Sequence, residues 1–103
     1  MKYRDTVDGR LRRAILASDR DTLRIAVSST RDLNQVDETW MTPLLYAIYR
    51  GDIESAKILL EAGANPNFNP SPTDPTHTPL WHAEHDFGLK EIAELLRLYG
   101  AEK

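Results

Sequence analysis

The chain has 103 residues, which suffices for one small domain with a modest core. Its 41% hydrophobic and 28% charged content is typical of a globular fold, and no apolar run approaches the roughly 20 residues that span a bilayer. The absence of cysteine excludes disulfides, thiol nucleophiles and Cys-ligated zinc.

The net charge of −3 is unevenly distributed, with +3 over residues 1–34 and −6 over residues 35–103. The basic end suggests either an acidic or nucleic-acid partner or a solvated outer face on a terminal helix, and we favour the second interpretation. The first residues, 1–5, carry charge without a following apolar segment, so we expect no signal peptide and a cytoplasmic protein.

The apolar spacing predicts helices in pairs along the chain. The first pair is expected at about 8–18 and 21–29, with Asp21 as a plausible cap of its second helix. The second pair is expected at about 43–50 and 53–62, and the third at about 79–86 and 90–99. Thr42 and Thr78 can cap the first helix of their pairs, each with a proline next to it at the first helical position. Glycines close the helices at positions 51, 63, 88 and 100.

The second and third pairs are copies of one motif. Residues 42–67 and 78–101 both open with Thr-Pro-Leu, place alanine five positions after the threonine, and close with Leu-Leu followed by Gly-Ala. Their openings lie 36 residues apart, and a fainter copy with a 33-residue step covers residues 9–34. Three such hairpins meet the minimum of about three repeats that a shared core needs.

These features resemble the ankyrin repeat family, whose signature includes a Thr-Pro-Leu-His motif at a 33-residue period. The stretch 51–65 follows the family's second-helix pattern, and Asp32-Leu33-Asn34 follows its inter-repeat pattern. The resemblance covers about residues 9–101. It implies an all-α solenoid of helical hairpins, with three repeats at about 9–34, 42–67 and 78–101 and capping terminal repeats, forming one domain over residues 1–103.

Several positions depart from the family pattern. Leu45 and Trp81 replace the histidine that follows Thr-Pro-Leu, and Trp40 replaces the turn glycine before it. The third repeat has about one extra residue near Phe87. The loop 65–77 is longer than usual and rich in proline, which makes it either an extended recognition finger or a tolerated insertion, and we favour the insertion.

The resemblance implies that the finger loops and the exposed side of the first helices bind a partner. Leu16 and Ala17 lie there in the first repeat. The residues carried over to the proposed contact surface are Glu38, Thr39, Trp40, Met41, Tyr49, Arg50, His77, His85 and Asp86. Trp40 is either an anchor of this surface, since tryptophan is enriched at binding hot spots, or a side chain folded over a neighbouring turn.

Chemical sites are weakly supported. His82 and His85 are three residues apart, near His77 and Asp86, but no further ligand pattern indicates zinc, so we interpret them as surface histidines and expect neither metal nor cofactor. No catalytic motif is present. Nucleic-acid binding is disfavoured because the aromatic residues lie in the acidic part of the chain.

We therefore expect a protein that binds another protein and is not an enzyme, as an adaptor or an inhibitor. If the source is bacterial, an immunity or antitoxin-like role that masks one effector is the alternative. The short sequence with polar residues on its last helix suggests a whole protein, and we expect a monomer, with homo-oligomerisation the other possibility.

Overall fold

The computed structural model describes residues 9–86 and 88–102, and this part of the chain contains six α-helices and no strand. The helices are α1 (Gly9–Leu16), α2 (Arg20–Ser29), α3 (Pro43–Tyr49), α4 (Ile53–Glu61), α5 (Pro79–Trp81) and α6 (Lys90–Leu98). None of them combines the length and the apolar character that crossing a membrane requires. The expectations about a signal peptide at residues 1–5 and about Phe87 fall outside the described residues.

The predicted caps of the first helices are confirmed. The hydroxyl of Thr42 accepts a hydrogen bond from the Leu45 amide at 3.2 Å, and that of Thr78 accepts one from the Trp81 amide at 3.3 Å. Each threonine satisfies one of the amides that have no partner inside the helix. Asp21 as a cap was wrong, because Asp19 accepts the bond from the Thr22 amide at 3.1 Å and α2 begins one residue later, at Arg20.

The turns between paired helices use the left-handed backbone region. Gly51 and Gly88, which the sequence predicted to end the first helix of each pair, have φ values of 64° and 60°. In the first repeat the corresponding residue, 33 positions before Gly51, is Ser18, which has φ 55° without being glycine. The turn at Ser18 thus has the same left-handed conformation as the turns of the clearer copies.

The helices form two layers. Within each pair α1 contacts α2 and α3 contacts α4, while α1, α3 and α5 adjoin in one layer and α2, α4 and α6 in the other. Fully buried leucine and isoleucine side chains lie between the layers, and each contributes on the order of 1.5–3 kcal/mol to folding. They are Leu11, Ile15, Leu23, Leu45, Ile48, Leu59 and Leu96.

Polar contacts join one repeat to the next. Arg20 at the start of α2 pairs with the buried Asp52 at the start of α4, with 3.1 Å between nitrogen and oxygen. The Asn34 side chain accepts a hydrogen bond from the Asn65 amide at 2.8 Å. In the next copy, the side chain of Asn67 accepts one from the Glu102 amide at 2.8 Å. Asn34 and Asn67 therefore make the same kind of hydrogen bond to a backbone amide at the two junctions between repeats.

The third repeat differs from the predicted helix at 79–86. Only Pro79–Trp81 is α-helical, and a π-helical turn, His82–Asp86, continues it. Thr78 and Gly88 are ten positions apart, whereas Thr42 and Gly51 are nine apart. A π turn accommodates one extra residue without ending the helix. This wider turn changes the directions of the side chains that follow Trp81.

Candidate partner-binding surface

The first loop, residues 30–42, is organised around the carboxylate of Asp37. This side chain is only 4% exposed, and it accepts hydrogen bonds from the Thr39 amide at 2.9 Å and the Thr39 hydroxyl at 2.7 Å. The Tyr46 hydroxyl donates to its other oxygen, which also pairs with Arg12 at 2.9 Å. These contacts fix the loop to both α1 and α3.

The surroundings of Asp37 also determine its ionisation. Burial alone would raise the pKa of this carboxyl, but hydrogen bonds from Tyr46 and Thr39 stabilise the carboxylate and lower its pKa to about 2. Asp37 is therefore ionised at neutral pH, and it holds the loop as a charged acceptor of several hydrogen bonds.

Trp40 lies at the tip of this loop in a conformation that is rare for a bulky residue. Its φ is 61°, and its amide donates to the Asp37 carbonyl at 3.1 Å. The side chain is 53% exposed. The sequence comparison had placed Trp40 where the repeat pattern has glycine, and the left-handed backbone explains why glycine is usual there. About half of the Trp40 side chain is therefore left uncovered by the neighbouring turns.

The other predicted surface residues divide into exposed and buried ones. Glu38 and Thr39 are exposed on the first loop, and Tyr49, 51% exposed, and Arg50 lie at the end of α3. His85 and Asp86 are exposed on the π turn, and Leu16 and Ala17 are exposed at the end of α1. His77 is half-buried at the end of the second loop, residues 65–77.

Met41 was wrongly expected on this surface. Its side chain is 7% exposed and belongs to the hydrophobic core, and its amide donates to Asp37 at 3.1 Å. The reason is its position between the exposed turn at Trp40 and the buried cap Thr42, which turns the side chain towards the interior. Little of Met41 is therefore available to a partner.

Aromatic and imidazole rings join the second and third repeats beside Trp40. His82 lies at the centre, with ring centroids 4.9 Å from His77, 5.5 Å from Trp81 and 6.1 Å from Tyr49. His85 stacks on Trp81 with centroids 4.8 Å apart and planes at 14°. We call these five residues the ring cluster.

Sequence reasoning missed the role of His82 and Trp81. His82 was interpreted as a surface histidine, but it is 7% exposed and its Nδ1 is hydrogen-bonded to Asp86. The signal was present in the sequence, since Trp81 and His82 directly follow Thr-Pro-Leu, where the repeat pattern has its histidine. Over residues 9–86 and 88–102, no group of three or more histidine, cysteine or acidic residues is placed to hold a metal ion.

The second loop is held by its own side chains. Asn69 accepts a hydrogen bond from the Ser71 amide at 2.8 Å and donates to the Asp74 carbonyl at 2.6 Å. Asp74 accepts bonds from the amide and the hydroxyl of Thr76 at 2.9 and 2.6 Å, repeating the turn that Asp37 and Thr39 make in the first loop. The two loops therefore end in similar turns next to each other.

Comparison with known proteins identifies the family. A family model for ankyrin repeats, three copies, matches residues 11–103. The chain belongs to the ankyrin repeat family. The paired helices, the threonine caps and the asparagine junctions described above are the structural form of these ankyrin repeats, and the all-α repeat fold expected from the sequence is confirmed.

A viral ankyrin repeat protein is among the relatives. An ankyrin repeat protein of fowlpox virus is 33% identical to this chain over 90 residues, which is 87% of this chain and 20% of the viral protein. The chain thus spans about a fifth of the length of the relative that it matches. Ankyrin repeats are in general non-enzymatic modules for binding other proteins.

Proposed function

We propose that these ankyrin repeats bind a protein partner through the first loop, the end of α3 and the ring cluster, and that the chain acts as an adaptor or an inhibitor without catalysing a reaction. The contact residues of the proposal are Glu38, Thr39, Trp40, Tyr49, Arg50, His77, His85 and Asp86. The repeats at about 9–34, 42–67 and 78–101 would act as one binding unit, monomeric and cytoplasmic.

The observation that carries this proposal is that Trp40 is half exposed at the tip of a loop whose backbone is held by hydrogen bonds. Its backbone is held by Asp37 on one side and by a hydrogen bond from His77 to its carbonyl at 2.6 Å on the other. A non-glycine residue at positive φ costs on the order of 1–3 kcal/mol, and such strain persists where the surrounding contacts impose it. A rigid, exposed aromatic side chain loses little entropy on binding, which is the property of a hot spot.

The neighbouring residues extend the same surface. Tyr49 is 51% exposed and lies beside His82, while His85 is exposed above the ring of Trp81. Glu38, which pairs with Arg12 at 3.1 Å, and Arg50 supply charge near this surface. An aromatic centre with charged residues around it matches the composition of protein interfaces.

A comparison of two exposed apolar residues tests the proposal. The partner is first isolated by co-purification from the source cell, and its affinity for the wild-type chain is then measured by calorimetry. Trp40→Ala is expected to cost roughly 2 kcal/mol of binding energy or more, which is about a thirtyfold loss of affinity. Leu98→Ala, on α6 and 80% exposed, is the matched control and is expected to change the affinity less than twofold.

Three outcomes would count against the proposal. The first is unchanged affinity in Trp40→Ala together with a lowered free energy of unfolding, which would give Trp40 a packing role. The second is a larger loss in Leu98→Ala than in Trp40→Ala, which would move the interface to the other layer. The third is turnover of a substrate by the chain with no partner recovered.

A further inference from the structure

A continuous chain of hydrogen bonds runs from the tip of the first loop to the π turn. The Trp40 carbonyl lies 2.6 Å from Nε2 of His77, and Nδ1 of His77 lies 2.8 Å from Nε2 of His82. Nδ1 of His82 is hydrogen-bonded to Oδ2 of Asp86. The chain links three separate segments, namely the first loop, the second loop and the π turn.

The number of hydrogens that these hydrogen bonds require follows from the acceptors at the two ends, the Trp40 carbonyl and the Asp86 carboxylate. A carbonyl oxygen only accepts, so Nε2 of His77 must carry hydrogen. The Asp86 carboxylate also only accepts, so Nδ1 of His82 must carry hydrogen. The contact between the two histidines needs one hydrogen more, so three hydrogens are required on four ring nitrogens.

Two neutral imidazoles supply only two hydrogens. The complete chain of hydrogen bonds therefore holds one proton more than two neutral histidines and an ionised aspartate hold together. The total number of protons is the same whether the extra proton lies on an imidazole ring or on Asp86. Without it, two nitrogen lone pairs face each other at 2.8 Å or an end contact is lost. With a second extra proton, two N–H groups would face each other instead.

We infer that His77, His82 and Asp86 form a proton-dependent clasp that positions Trp40, complete when the three side chains share one extra proton and broken when that proton leaves. The inference rests on the proposed function, because the clasp would regulate the same partner-binding surface. His77 is the positioning residue, since its Nε2 is hydrogen-bonded to the Trp40 carbonyl.

The surroundings of His82 make its hydrogen bond to His77 depend on the extra proton. His82 is 7% exposed, so water cannot readily replace a lost partner on its Nε2. Its ring is also held by the rings of Tyr49 and Trp81, at 6.1 and 5.5 Å between centroids. Because the neighbouring rings hold the His82 imidazole in place, its hydrogen bond to His77 forms or breaks through protonation and not through rotation of the ring.

Other charged and titratable groups surround the clasp. Asp74 on the second loop has its pKa lowered, chiefly by hydrogen bonds from the hydroxyl and the amide of Thr76. Tyr49 faces His82 from α3, and His85 lies on the far side of Trp81. Glu84 on the π turn is paired with Arg97 of α6.

The direction of the pH dependence follows from the proton count. Because the closed clasp holds the extra proton, closing is favoured as the pH falls from about 8 to about 6, the range in which histidine ordinarily changes charge. We expect affinity for the partner to rise about fivefold over this range, the size of one hydrogen bond's net contribution.

Nitrogen-15 NMR of the free 103-residue chain tests the clasp without any partner. At about pH 6 we expect hydrogen on Nε2 of His77 and on Nδ1 of His82, and we expect the Trp40 amide signal to shift between pH 6 and 8. His77→Gln keeps an amide donor but does not titrate, and it should abolish that shift. His85→Gln, the matched control at the third of the chain's three histidines, should preserve it.

Any one of three NMR results would overturn the inference of a proton-dependent clasp. A bare Nε2 on His77 at pH 6 contradicts the proton count and needs no variant, so it decides the matter even if His77→Gln fails to fold. A Trp40 shift that persists in His77→Gln, or that is lost in His85→Gln, assigns the pH dependence to another group.

Binding measurements separate this inference from the proposed function. If Trp40→Ala weakens binding, the wild-type affinity should rise with falling pH. The affinity of His77→Gln should stay flat, and that of Leu98→Ala, outside the proposed surface, should follow the wild type. If Trp40→Ala has no effect on binding, the proposed function fails while the NMR result still decides the clasp. A flat wild-type affinity alongside an effective Trp40→Ala overturns the regulatory role of the clasp alone.

Discussion

Asp37 is an ionised carboxylate that is almost completely enclosed by the loop it organises. Burial of a charge is costly unless hydrogen bonds compensate for it, and here Thr39, Tyr46 and Arg12 provide that compensation. Since the carboxylate form is favoured in the folded state, the stability of the chain depends on the proton concentration.

This dependence gives a prediction about acid unfolding. A carboxyl whose pKa falls from 3.8 to about 2 on folding contributes about 2 kcal/mol that is present in full above pH 4 and is lost as the pH falls through 2. Tyr46→Phe removes one donor to Asp37 and should raise its folded pKa, so the loss below pH 4 should become smaller. Urea denaturation at intervals between pH 2 and 5 measures this difference, and parallel curves for the two proteins would contradict it.

Single residues show what the sequence could and could not predict. The repeat pattern placed Trp40 at a turn but left open whether its side chain is exposed or folded over a neighbouring turn. The pattern could not predict that Trp40 is exposed and Met41 buried, because both lie between the loop and the helix cap. The path of the backbone decides which of the two side chains points inward. His82 was misjudged for a related reason, since the sequence alone does not show that the rings of Tyr49, His77 and Trp81 pack around it.

Helices and turns were predicted more reliably than side-chain directions. The threonine caps and the glycines at the turns act through local backbone geometry, which a sequence pattern reports directly. Asp19 was missed in favour of Asp21 because both are acids near the start of α2, and the first helix boundary was uncertain by a few residues. The π turn had a signal in the ten-residue spacing between Thr78 and Gly88, but spacing alone does not say how the chain accommodates an extra residue.

The turn between α1 and α2 gives a prediction about stability at this scale. Ser18→Gly should raise the free energy of unfolding by about 0.5–1 kcal/mol, because φ at this exposed position is 55° and glycine adopts it without steric cost. The matched control is Ser28→Gly on the exposed side of α2, where glycine should lower stability by a similar amount. Equal effects in urea denaturation at both positions would contradict the conformational explanation.

Across the whole molecule the three repeats share one core. The fully buried side chains come from both layers and from all three pairs of helices, and the asparagine side chains link each pair to the next. The periodic pattern predicted this stacking, since a hairpin that cannot bury its apolar face alone must be covered by its neighbours. The partner surface was predicted less well, because the ring cluster spans two repeats and is visible only once they are stacked.

A shared core predicts cooperative unfolding. Leu59→Ala, at a fully buried position of α4 in the central repeat, should lower the free energy of unfolding by about 2–5 kcal/mol. Circular dichroism and tryptophan fluorescence should report one coincident transition in both the wild type and the variant. Two separate transitions would show that the repeats unfold independently, and a comparable loss in Leu98→Ala would show that burial does not set the cost.

The most direct test of the proposed surface is a map of backbone amide NMR changes in the labelled chain on addition of the isolated partner. The account predicts the largest changes at residues 38–40, 49–50, 77 and 85–86, with little change along α2, α4 and α6. Changes concentrated on those second-layer helices, with Trp40 and its neighbours unaffected, would contradict it.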